Sequence, residues 1–427
     1  MRVTERSGGA IPRADEIRVY SRAASAAGYE IRDFLSRSVV EFEWIEVADD
    51  AQAIRQLGMD GLDDSRLPVC ILPDGERIEA ATVRGLAARL GWITEPKASE
   101  YDVSIYGAGP AGLSAAVYAA SEGLRTVLLE REAVGGQAGT SSLIENYMGF
   151  PGGISGAHLA ERARQQAVAF GAEILLMREG IKAEFRGGKI FVELAEGGKM
   201  VARTNICATG VEYRRLGLPD ENRLVGAGVY YGAAASEAPM CAGEEVYVVG
   251  GGNSAGQAVM HLSEYARRVT MLVRGEGLAA SMSQYLLDRL RATPNVRIQT
   301  HKSVAAVEGE GRLESIALRD ALDGTEQKVD TGRLFVLIGG RPHTEWAKDT
   351  DIVRDRAGYL VTGPDLLDRG KPPAEWPLKR HPYYLETSVP GSFAVGDVRH
   401  GSVKRVASAV GEGAMAVQFV HRHLNES

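Results

Sequence analysis

The chain has 427 residues, a length that predicts about two to four domains rather than one. Hydrophobic residues make up 44% and charged residues 25%, as in globular proteins, and the net charge of −7 disfavours nucleic acid or an anionic membrane as a partner. The absence of a long apolar run and of an N-terminal signal pattern, and the three cysteines without a CxxC pair, predict a protein of the reducing cytoplasm.

The first 95 residues alternate short apolar runs with helical patterns. A cluster of Pro and charged residues at 94–100 marks a linker, so we predict a separate N-terminal domain at 1–95. Asp74 and Gly75 separate two of the apolar runs, which predicts a hairpin. The predicted elements are strand 17–20, helix 23–35, strand 40–47, strands 68–72 and 77–78, and helix 82–90.

This order of elements resembles the glutaredoxin type of thioredoxin fold. Residues 67–69 would form its cis-proline loop, so the resemblance implies a cis peptide before Pro68. The redox CxxC of that fold would fall on residues 25–28, which are Ser, Ala, Ala and Gly. Because no thiol lies there, we interpret the domain as a docking or dimer-forming unit, with Cys70 buried on a strand.

A strand pattern at 101–106 leads into a GxGxxG motif formed by Gly107, Gly109 and Gly112. An Ala-rich helix follows, and then a strand that ends at Glu130. In such a unit the first Gly makes the turn, the second lets a pyrophosphate reach the backbone, and the third lets helix pack on strand. The helix N-terminus attracts phosphate, and the carboxylate accepts hydrogen bonds from a ribose. The pattern predicts a dinucleotide site, with a purely structural Gly turn as the alternative.

A second unit begins with a strand pattern at 245–249 and continues with the GxGxxA motif of Gly250, Gly252 and Ala255. A carboxylate after the next strand would bind the ribose diol of NAD, but Arg274 lies there instead. Because a guanidinium binds phosphate bidentately, we predict NADP, with an exposed Arg that has no ligand as the alternative. The same turn adds Asn253 and Ser254 to the predicted site.

Residues 101–425 resemble, in unbroken order, the low-molecular-weight thioredoxin reductases, which are FAD- and NAD(P)-dependent pyridine nucleotide-disulfide oxidoreductases. The likeness also includes ENY at 145–147, ATG at 208–210 and the run at 404–416. It implies that Asp397 binds the ribitol or phosphate region of FAD, and that the last helix stabilises negative charge near the flavin pyrimidine. The implied FAD residues are Gly107, Gly109, Pro110, Ala111, Gly112, Glu130, Arg131, Gly136, Gln137, Asn146, Thr209, Gly210, Gly396, Asp397, Arg405 and Val406.

In thioredoxin reductases a CxxC pair lies shortly before the second Gly-rich motif, and this pair passes electrons from flavin to a disulfide. The two corresponding positions fall among Gly232, Ala233, Ala235 and Ser236 under either possible alignment, so we assign no catalytic residue. None of these side chains forms a disulfide, and we therefore exclude an internal dithiol relay. The tyrosines at 230–231 either border the emptied space as an aromatic wall or pack in the core.

The sequence thus predicts an α/β protein with two Rossmann-like domains and a thioredoxin/glutaredoxin-like domain at 1–95. The FAD-binding domain is discontinuous, at 101–214 and 336–427, with the NAD(P)H-binding domain inserted at 215–335. We predict an NADPH-dependent FAD oxidoreductase that passes electrons to a quinone, a flavodoxin- or ferredoxin-like protein, oxygen or a disulfide. The alternatives are a non-catalytic sensor or scaffold, and a flavin thiol oxidase that works without NADP. We expect a cytoplasmic homodimer with no metal, nucleic-acid or membrane partner, and a small redox protein as one candidate partner.

Overall fold

The computed structural model describes residues 16–23, 25–195, 197–232 and 237–426. The chain divides into two compact units. The first unit consists of the residues up to 90 together with 140–143 and 213–339. The second unit consists of 91–139, 144–212 and 340–427.

The N-terminal part of the first unit is a four-stranded sheet in the order β2-β1-β3-β4. Its elements are β1 (Ile17–Ser21), α1 (Ala26–Arg37), β2 (Phe42–Glu46), α2 (Asp50–Gln52), β3 (Val69–Ile71), β4 (Arg77–Ile78) and α3 (Val83–Arg89). Strand β1 is parallel to β2 and antiparallel to β3. The predicted strands, α1 and α3 occur in the predicted order, α2 between β2 and β3 was not predicted, and the peptide between Leu67 and Pro68 is cis as expected. The predicted helix start at 23 was too early, because the Ser25 hydroxyl caps α1 by accepting a 3.1 Å hydrogen bond from the Gly28 N–H.

The second unit begins with a βαβ arrangement and a large mixed sheet. The elements are β5 (Tyr101–Tyr106), α4 (Pro110–Ser121), β6 (Thr126–Glu130), α5 (Gly136–Gly139), α6 (Gly156–Ala169), β7 (Glu173–Leu176), β8 (Gly180–Arg186), β9 (Lys189–Leu194), β10 (Lys199–Cys207) and β11 (Val211–Tyr213). The sheet has the order β7-β6-β5-β10-β9-β8, in which β7, β6, β5 and β10 are parallel and the hairpin β8–β9 is antiparallel.

Residues 213–339 of the first unit form a second parallel sheet. The elements are α7 (Glu221–Leu224), β12 (Val229–Tyr231), β13 (Glu245–Val249), α8 (Asn253–Ser263), β14 (Arg268–Leu272), α9 (Gln284–Ala292), β15 (Val296–Gln299), β16 (Lys302–Glu308), β17 (Ser315–Asp320), β18 (Glu326–Asp330) and β19 (Leu334–Val336). The parallel sheet has the order β12-β19-β13-β14-β15, and β16, β17 and β18 form a separate antiparallel sheet.

The chain then returns to the second unit with β20 (Gly340–Pro342), β21 (Ser392–Ala394) and α10 (Val406–Glu426). Strand β21 joins the large sheet by pairing in parallel with β10. Helices α4 and α10 approach closely, since a Cβ at Gly413 would lie 2.1 Å from the Ala111 carbonyl oxygen. The predicted fold class, an α/β protein with two Rossmann-like sheets and a discontinuous first one, is confirmed.

Candidate cofactor sites

The first Gly-rich loop combines two tightly packed glycines with one that faces open space. Gly107 has a φ of +101°, and a Cβ there would lie 2.5 Å from the Ala208 carbonyl oxygen. A Cβ at Gly112 would lie 1.9 Å from the Gly107 carbonyl oxygen, so α4 rests directly on the loop. A Cβ at Gly109 would meet nothing within 4 Å. Gly109 is also the N-cap of α4 and supplies no capping side chain, so the helix N-terminus fits a pyrophosphate.

Glu130 at the end of β6 is held in place by the same loop. Its carboxylate accepts hydrogen bonds from the Ala108 N–H at 2.7 Å and the Glu132 N–H at 2.8 Å, and its residue is 8% exposed. The carboxylate therefore lies at the carboxyl end of β6 beside the Gly-rich loop, where the sequence predicts an acid that binds a ribose.

Arg131 contacts a neighbouring acid and a histidine. Its guanidinium donates to Glu212 at 3.0 Å and lies 3.1 Å from the nearer ring nitrogen of His343. Burial alone would raise the pKa of Glu212, but the Arg131 hydrogen bond and the charge of His343 bring it below its usual value. Burial and the Arg131 charge lower the pKa of His343. Arg131 therefore borders the site as part of an ion-pair cluster that the sequence did not reveal.

A pocket opens beside Glu130 at the ends of β5 and β6. Its lining includes Glu130, Arg131, Arg178, Asn205 and Trp346. The Asn205 carboxamide nitrogen contacts the Cys207 sulfur at 3.3 Å, whereas its buried oxygen has no hydrogen-bond partner within the described part of the chain. A buried acceptor of this kind suits a polar group of a ligand or a bound water. The pocket therefore offers a buried polar acceptor on the same side of the sheet edge as Glu130.

Five further residues of the predicted FAD set are Gly136, Gln137, Asn146, Thr209 and Gly210. Gly136 lies beside the Gly-rich loop, because a Cβ on it would approach Gly109 Cα to 3.2 Å. Gln137 donates to the Val211 carbonyl at 2.8 Å, and Thr209 donates to the His343 carbonyl at 3.1 Å. The structure therefore brings these three residues toward the loop. Asn146 is exposed, and Gly210 adopts a φ of +64° directly after Thr209.

The C-terminal part of the site is organised by an acid that the sequence analysis missed. Glu412 on α10 accepts the Gly396 N–H at 2.6 Å and receives two hydrogen bonds from Arg399, at 2.6 and 3.2 Å. A Cβ at Gly396 would lie 2.9 Å from the Ala111 Cβ, which brings this turn against the start of α4. Burial raises the pKa of the adjacent Asp397 above its usual value. The GEGA run in α10 was a usable signal for this acid, because a Glu in a Gly- and Ala-rich helix is conspicuous.

The last helix begins beside this turn. Arg405 is exposed and directly precedes α10, whose first residue is the half-buried Val406. The neighbouring Lys404 donates to the Asp397 carbonyl at 2.6 Å and to the Ser402 hydroxyl at 2.7 Å. These bonds fix the loop that leads into the helix N-terminus. Pro110 and Ala111, at the start of α4, complete the predicted set.

The second Gly-rich loop repeats the geometry of the first. Gly250 has a φ of +148°, and a Cβ there would lie 2.4 Å from the Leu337 carbonyl oxygen. A Cβ at Gly252 would have the Ser281 carbonyl oxygen, at 4.0 Å, as its nearest neighbour. Gly252 is the N-cap of α8 and has no capping side chain, so this helix N-terminus also fits a phosphate. Ala255 is buried beneath the loop.

Of the other residues predicted for the second site, Asn253 forms a hydrogen bond within the protein, whereas Ser254 and Arg274 are exposed. Asn253 accepts the Ser283 N–H at 2.8 Å, and the Ser281 hydroxyl donates to the Gly251 carbonyl at 2.7 Å. A serine-containing segment thus borders the fingerprint, which the sequence analysis did not foresee. Ser254 and Arg274 are exposed, and Arg274 lies two residues beyond the end of β14.

The thiols and the positions of the absent CxxC are the last element of the site. Gly232 adopts a φ of +116°, and a Cβ there would lie 3.1 Å from the Tyr213 hydroxyl oxygen. Ala233, Ala235 and Ser236 lie outside the described residues. The three cysteines are all buried, and burial raises the pKa of each to about 12. They are Cys70, Cys207 and Cys241.

The two tyrosines beside these positions pack in the core or against it. Tyr230 is 3% exposed and stacks on Phe335 with ring centroids 5.1 Å apart. Tyr231 hydrogen-bonds to Glu221 and receives the Leu216 N–H at 3.0 Å. Tyr230 is therefore a core residue, whereas Tyr231 is half-buried and packs against the edge of the core.

Two negative findings apply to the residues that the structure describes. No group of three or more His, Cys, Asp or Glu side chains there is placed to hold a metal ion. Over the same ranges, no helix has both the length and the apolar composition needed to cross a membrane.

Two sheets, each with parallel strands that lead into a Gly-rich turn at an open helix N-terminus, are the architecture of a protein that binds two dinucleotides. Residues 101–413 match the family model described as pyridine nucleotide-disulphide oxidoreductase, and the chain belongs to that family. It is an NAD(P)H-dependent flavoprotein oxidoreductase whose cofactors are FAD and NADP(H).

Similar proteins are thioredoxin reductases. The chain is 36% identical to the thioredoxin reductase of Treponema pallidum over 327 residues, which cover 77% of this chain and 98% of that protein. It is 34% identical to that of Bacillus subtilis over 330 residues, or 76% and 95% of the two chains. The solved thioredoxin reductase of Lactococcus lactis in its FR conformation has a TM-score of 0.68 at 27% identity, covering 77% of this chain and 100% of that one. The enzyme of T. acidophilum gives 0.67 at 28% identity with the same coverage.

Proposed function

We propose that the protein passes electrons from NADPH through FAD to an external acceptor without a dithiol of its own. The observation that carries this proposal is the state of the thiols. All three are buried, and their raised pKa keeps them protonated at neutral pH, whereas the nucleophilic form of cysteine is the thiolate. A relay needs two cysteines that exchange a disulfide, and the sequence has no CxxC.

The residues at both Gly-rich turns then have binding roles. FAD, when bound, accepts hydride from NADPH and releases electrons to a second substrate. The N-terminus of α4 and Gly109 would hold its pyrophosphate, Glu130 would accept from its ribose, and Asp397 would contact the ribitol or phosphate region. Gly252 and the N-terminus of α8 hold the pyrophosphate of NADPH, and Arg274 binds its 2′-phosphate.

The acceptor in this proposal is reduced directly at the flavin. Quinones, oxygen, a flavodoxin- or ferredoxin-like protein and a disulfide satisfy that requirement, because none of them needs a thiol on this chain. A non-catalytic scaffold would need neither nucleotide site. The open approaches to Gly109 and Gly252 therefore favour an enzyme that turns over.

The proposal also covers the domain boundaries, the oligomeric state and the cellular location of the protein. We infer that residues 16–90 form a glutaredoxin-type domain without its redox pair, supported by the β2-β1-β3-β4 sheet. We also infer a homodimer, a cytoplasmic location, and domain boundaries at 1–95, 101–214 with 336–427, and 215–335.

The test replaces Cys70, Cys207 and Cys241 together by Ala in the FAD-loaded protein and measures NADPH oxidation with a quinone acceptor. We expect turnover within a few-fold of the native rate, because no thiol takes part. Retention of FAD by the variant is the control for folding. Loss of turnover by more than about a hundredfold, roughly 2.7 kcal/mol, in a variant that still holds FAD would contradict the proposal. Absence of NADPH oxidation by the native protein with every acceptor class would favour the sensor or scaffold.

A further inference from the structure

Helix α1 of the N-terminal domain lies against the nicotinamide-binding part of the first unit. The Tyr29 ring is 5.4 Å from the Tyr230 ring, centroid to centroid, at an interplanar angle of 55°. Tyr29 packs on the core cluster that also contains Phe335. Gly226 has a φ of +77°, and a Cβ there would lie 3.0 Å from Ala26 Cα. The first turns of α1 therefore touch the backbone and the core of the other domain.

A buried ion pair lies beside these contacts. Arg32 donates to Glu237 at 3.2 Å, and their side chains are only 8% and 5% exposed. The same guanidinium contacts the Met240 sulfur and lies over the Trp44 ring, 5.1 Å from its centroid. Burial raises the pKa of Tyr29 well above its usual value, and the negative charge of Glu237 adds to this effect. Removing either partner would leave the other charge buried and unpaired, so separating α1 from this surface has to break the pair.

The end of α1 that would carry a redox pair is filled. Ser25 uses its hydroxyl to cap the helix through the Gly28 N–H. A Cβ at Gly28 would lie 2.2 Å from the Ser21 hydroxyl oxygen and 3.1 Å from the Trp44 ring. A thiol-bearing side chain at this position would have to displace both neighbours. The geometry therefore suits a packing surface and opposes an electron carrier.

We propose that α1 permanently covers the surface formed by Gly226, Tyr230, Glu237 and Met240, here called the α1-docking surface. The N-terminal domain is then a fixed, redox-inert part of the nicotinamide-binding half, and no external redox protein gains access to the α1-docking surface. The consequence for electron flow rests on the proposed function: the acceptor reaches the flavin by another route. The occupant of the surface is thus a segment of this same chain.

The test measures hydrogen–deuterium exchange in the full-length, FAD-loaded protein, in peptides covering α1 and β12. Glu237→Gln preserves shape and leaves the Arg32 charge unpaired, and Arg32→Ala removes the other partner. Breaking a buried pair by removing one partner raises the opening equilibrium by about a hundredfold or more, so exchange should rise accordingly in both peptides. The double variant should exchange no faster than the more affected single variant, because both substitutions break the same Arg32–Glu237 ion pair.

Arg89→Ala is the matched control. Arg89 pairs with Glu76 inside the N-terminal domain, and both side chains are substantially exposed. Its loss should leave exchange of α1 and β12 unchanged. Native α1 protection should also persist after NADPH is added without oxygen. Unchanged exchange in Glu237→Gln, or loss of α1 protection when NADPH is added, would overturn the proposal.

Exchange does not depend on turnover, so the two proposals fail separately. A protein that shows coupled protection of α1 and β12 but oxidises no NADPH supports the docking and contradicts the proposed function. A protein that turns over while α1 exchanges independently of β12 supports the function and contradicts the docking. If Arg32→Ala does not fold, Glu237→Gln alone decides, because it changes no packing volume.

Discussion

Two substitutions, each of which adds one methyl group, test the two cofactor sites independently of each other. Gly109→Ala and Gly252→Ala place a Cβ at the two helix N-terminal caps where the surrounding space is open. Gly109 has φ −72° and ψ −179°, and Gly252 has φ −95° and ψ 179°, so both backbones suit any residue. The added methyl groups enter only the space that a pyrophosphate would occupy. Each variant is therefore the control for the other.

The expected magnitudes follow from these surroundings. In the absence of cofactor, the loss of backbone freedom in the unfolded chain stabilises each variant by about 0.4–1 kcal/mol. The weaker N-cap propensity of Ala opposes this gain, so the stability of the apoprotein should change little. At the phosphate, each lost charge-assisted hydrogen bond costs about 1.5–3 kcal/mol, which corresponds to a roughly tenfold to hundredfold weaker affinity.

The assay is fluorescence titration of the apoprotein with FAD, followed by the KM for NADPH in whatever protein is FAD-loaded. Gly109→Ala should lose FAD affinity, whereas Gly252→Ala should keep FAD and raise the KM for NADPH. Gly112→Ala should instead unfold the second unit, because its Cβ would overlap the Gly107 carbonyl oxygen at 1.9 Å. Native FAD affinity in Gly109→Ala would refute the assignment of the first loop as a phosphate cradle.

Three further outcomes are expected. Denaturing the purified yellow protein should release FAD, and a colourless folded protein that takes up no FAD would contradict the site at Gly107. Arg274→Ala should raise the KM for NADPH by about tenfold or more and leave that for NADH unchanged, since a guanidinium–phosphate contact is worth about 1.5–3 kcal/mol; equal use of both by the native protein would dismiss Arg274 as the selector. Burial raises the pKa of Asp397, so the apoprotein gains stability when this group is protonated and loses it as pH rises through that pKa. Asp397→Asn should therefore raise the apoprotein Tm at neutral pH, with a difference that shrinks on acidification, and weaken FAD retention; a pH-independent Tm difference would count against this account.

Local sequence was sufficient to place the two Gly-rich turns, because their backbone requires glycine at the first position. Gly107 and Gly250 adopt φ values of +101° and +148°, which other residues avoid, and the strand–turn–helix order around them is readable from apolar patterning. The N-terminal sheet was predictable because each of its strands and helices has its own pattern of apolar residues. The predicted start of α1 was three residues too early, because the Ala-rich sequence before Ser25 does not itself mark where the helix begins.

The contacts that hold the site were not predictable from one sequence. Glu412 lies 16 residues after Gly396, and Arg131 meets Glu212 across 81 residues of chain. Nothing in the local pattern around either acid indicates its partner, because such pairings depend on how separate elements pack. Arg32 and Glu237, 205 residues apart, are an extreme case of the same limit.

The loss of the thiols and the packing of α1 have one physical explanation. A surface that presents a reactive dithiol must stay open to solvent and to a partner, whereas the α1-docking surface carries a buried ion pair and an aromatic contact. Opening the α1-docking surface would break the Arg32–Glu237 pair, whose side chains are 8% and 5% exposed. The open approaches to Gly109 and Gly252 still serve a purpose, because electron transfer from NADPH to FAD requires both sites but no thiol.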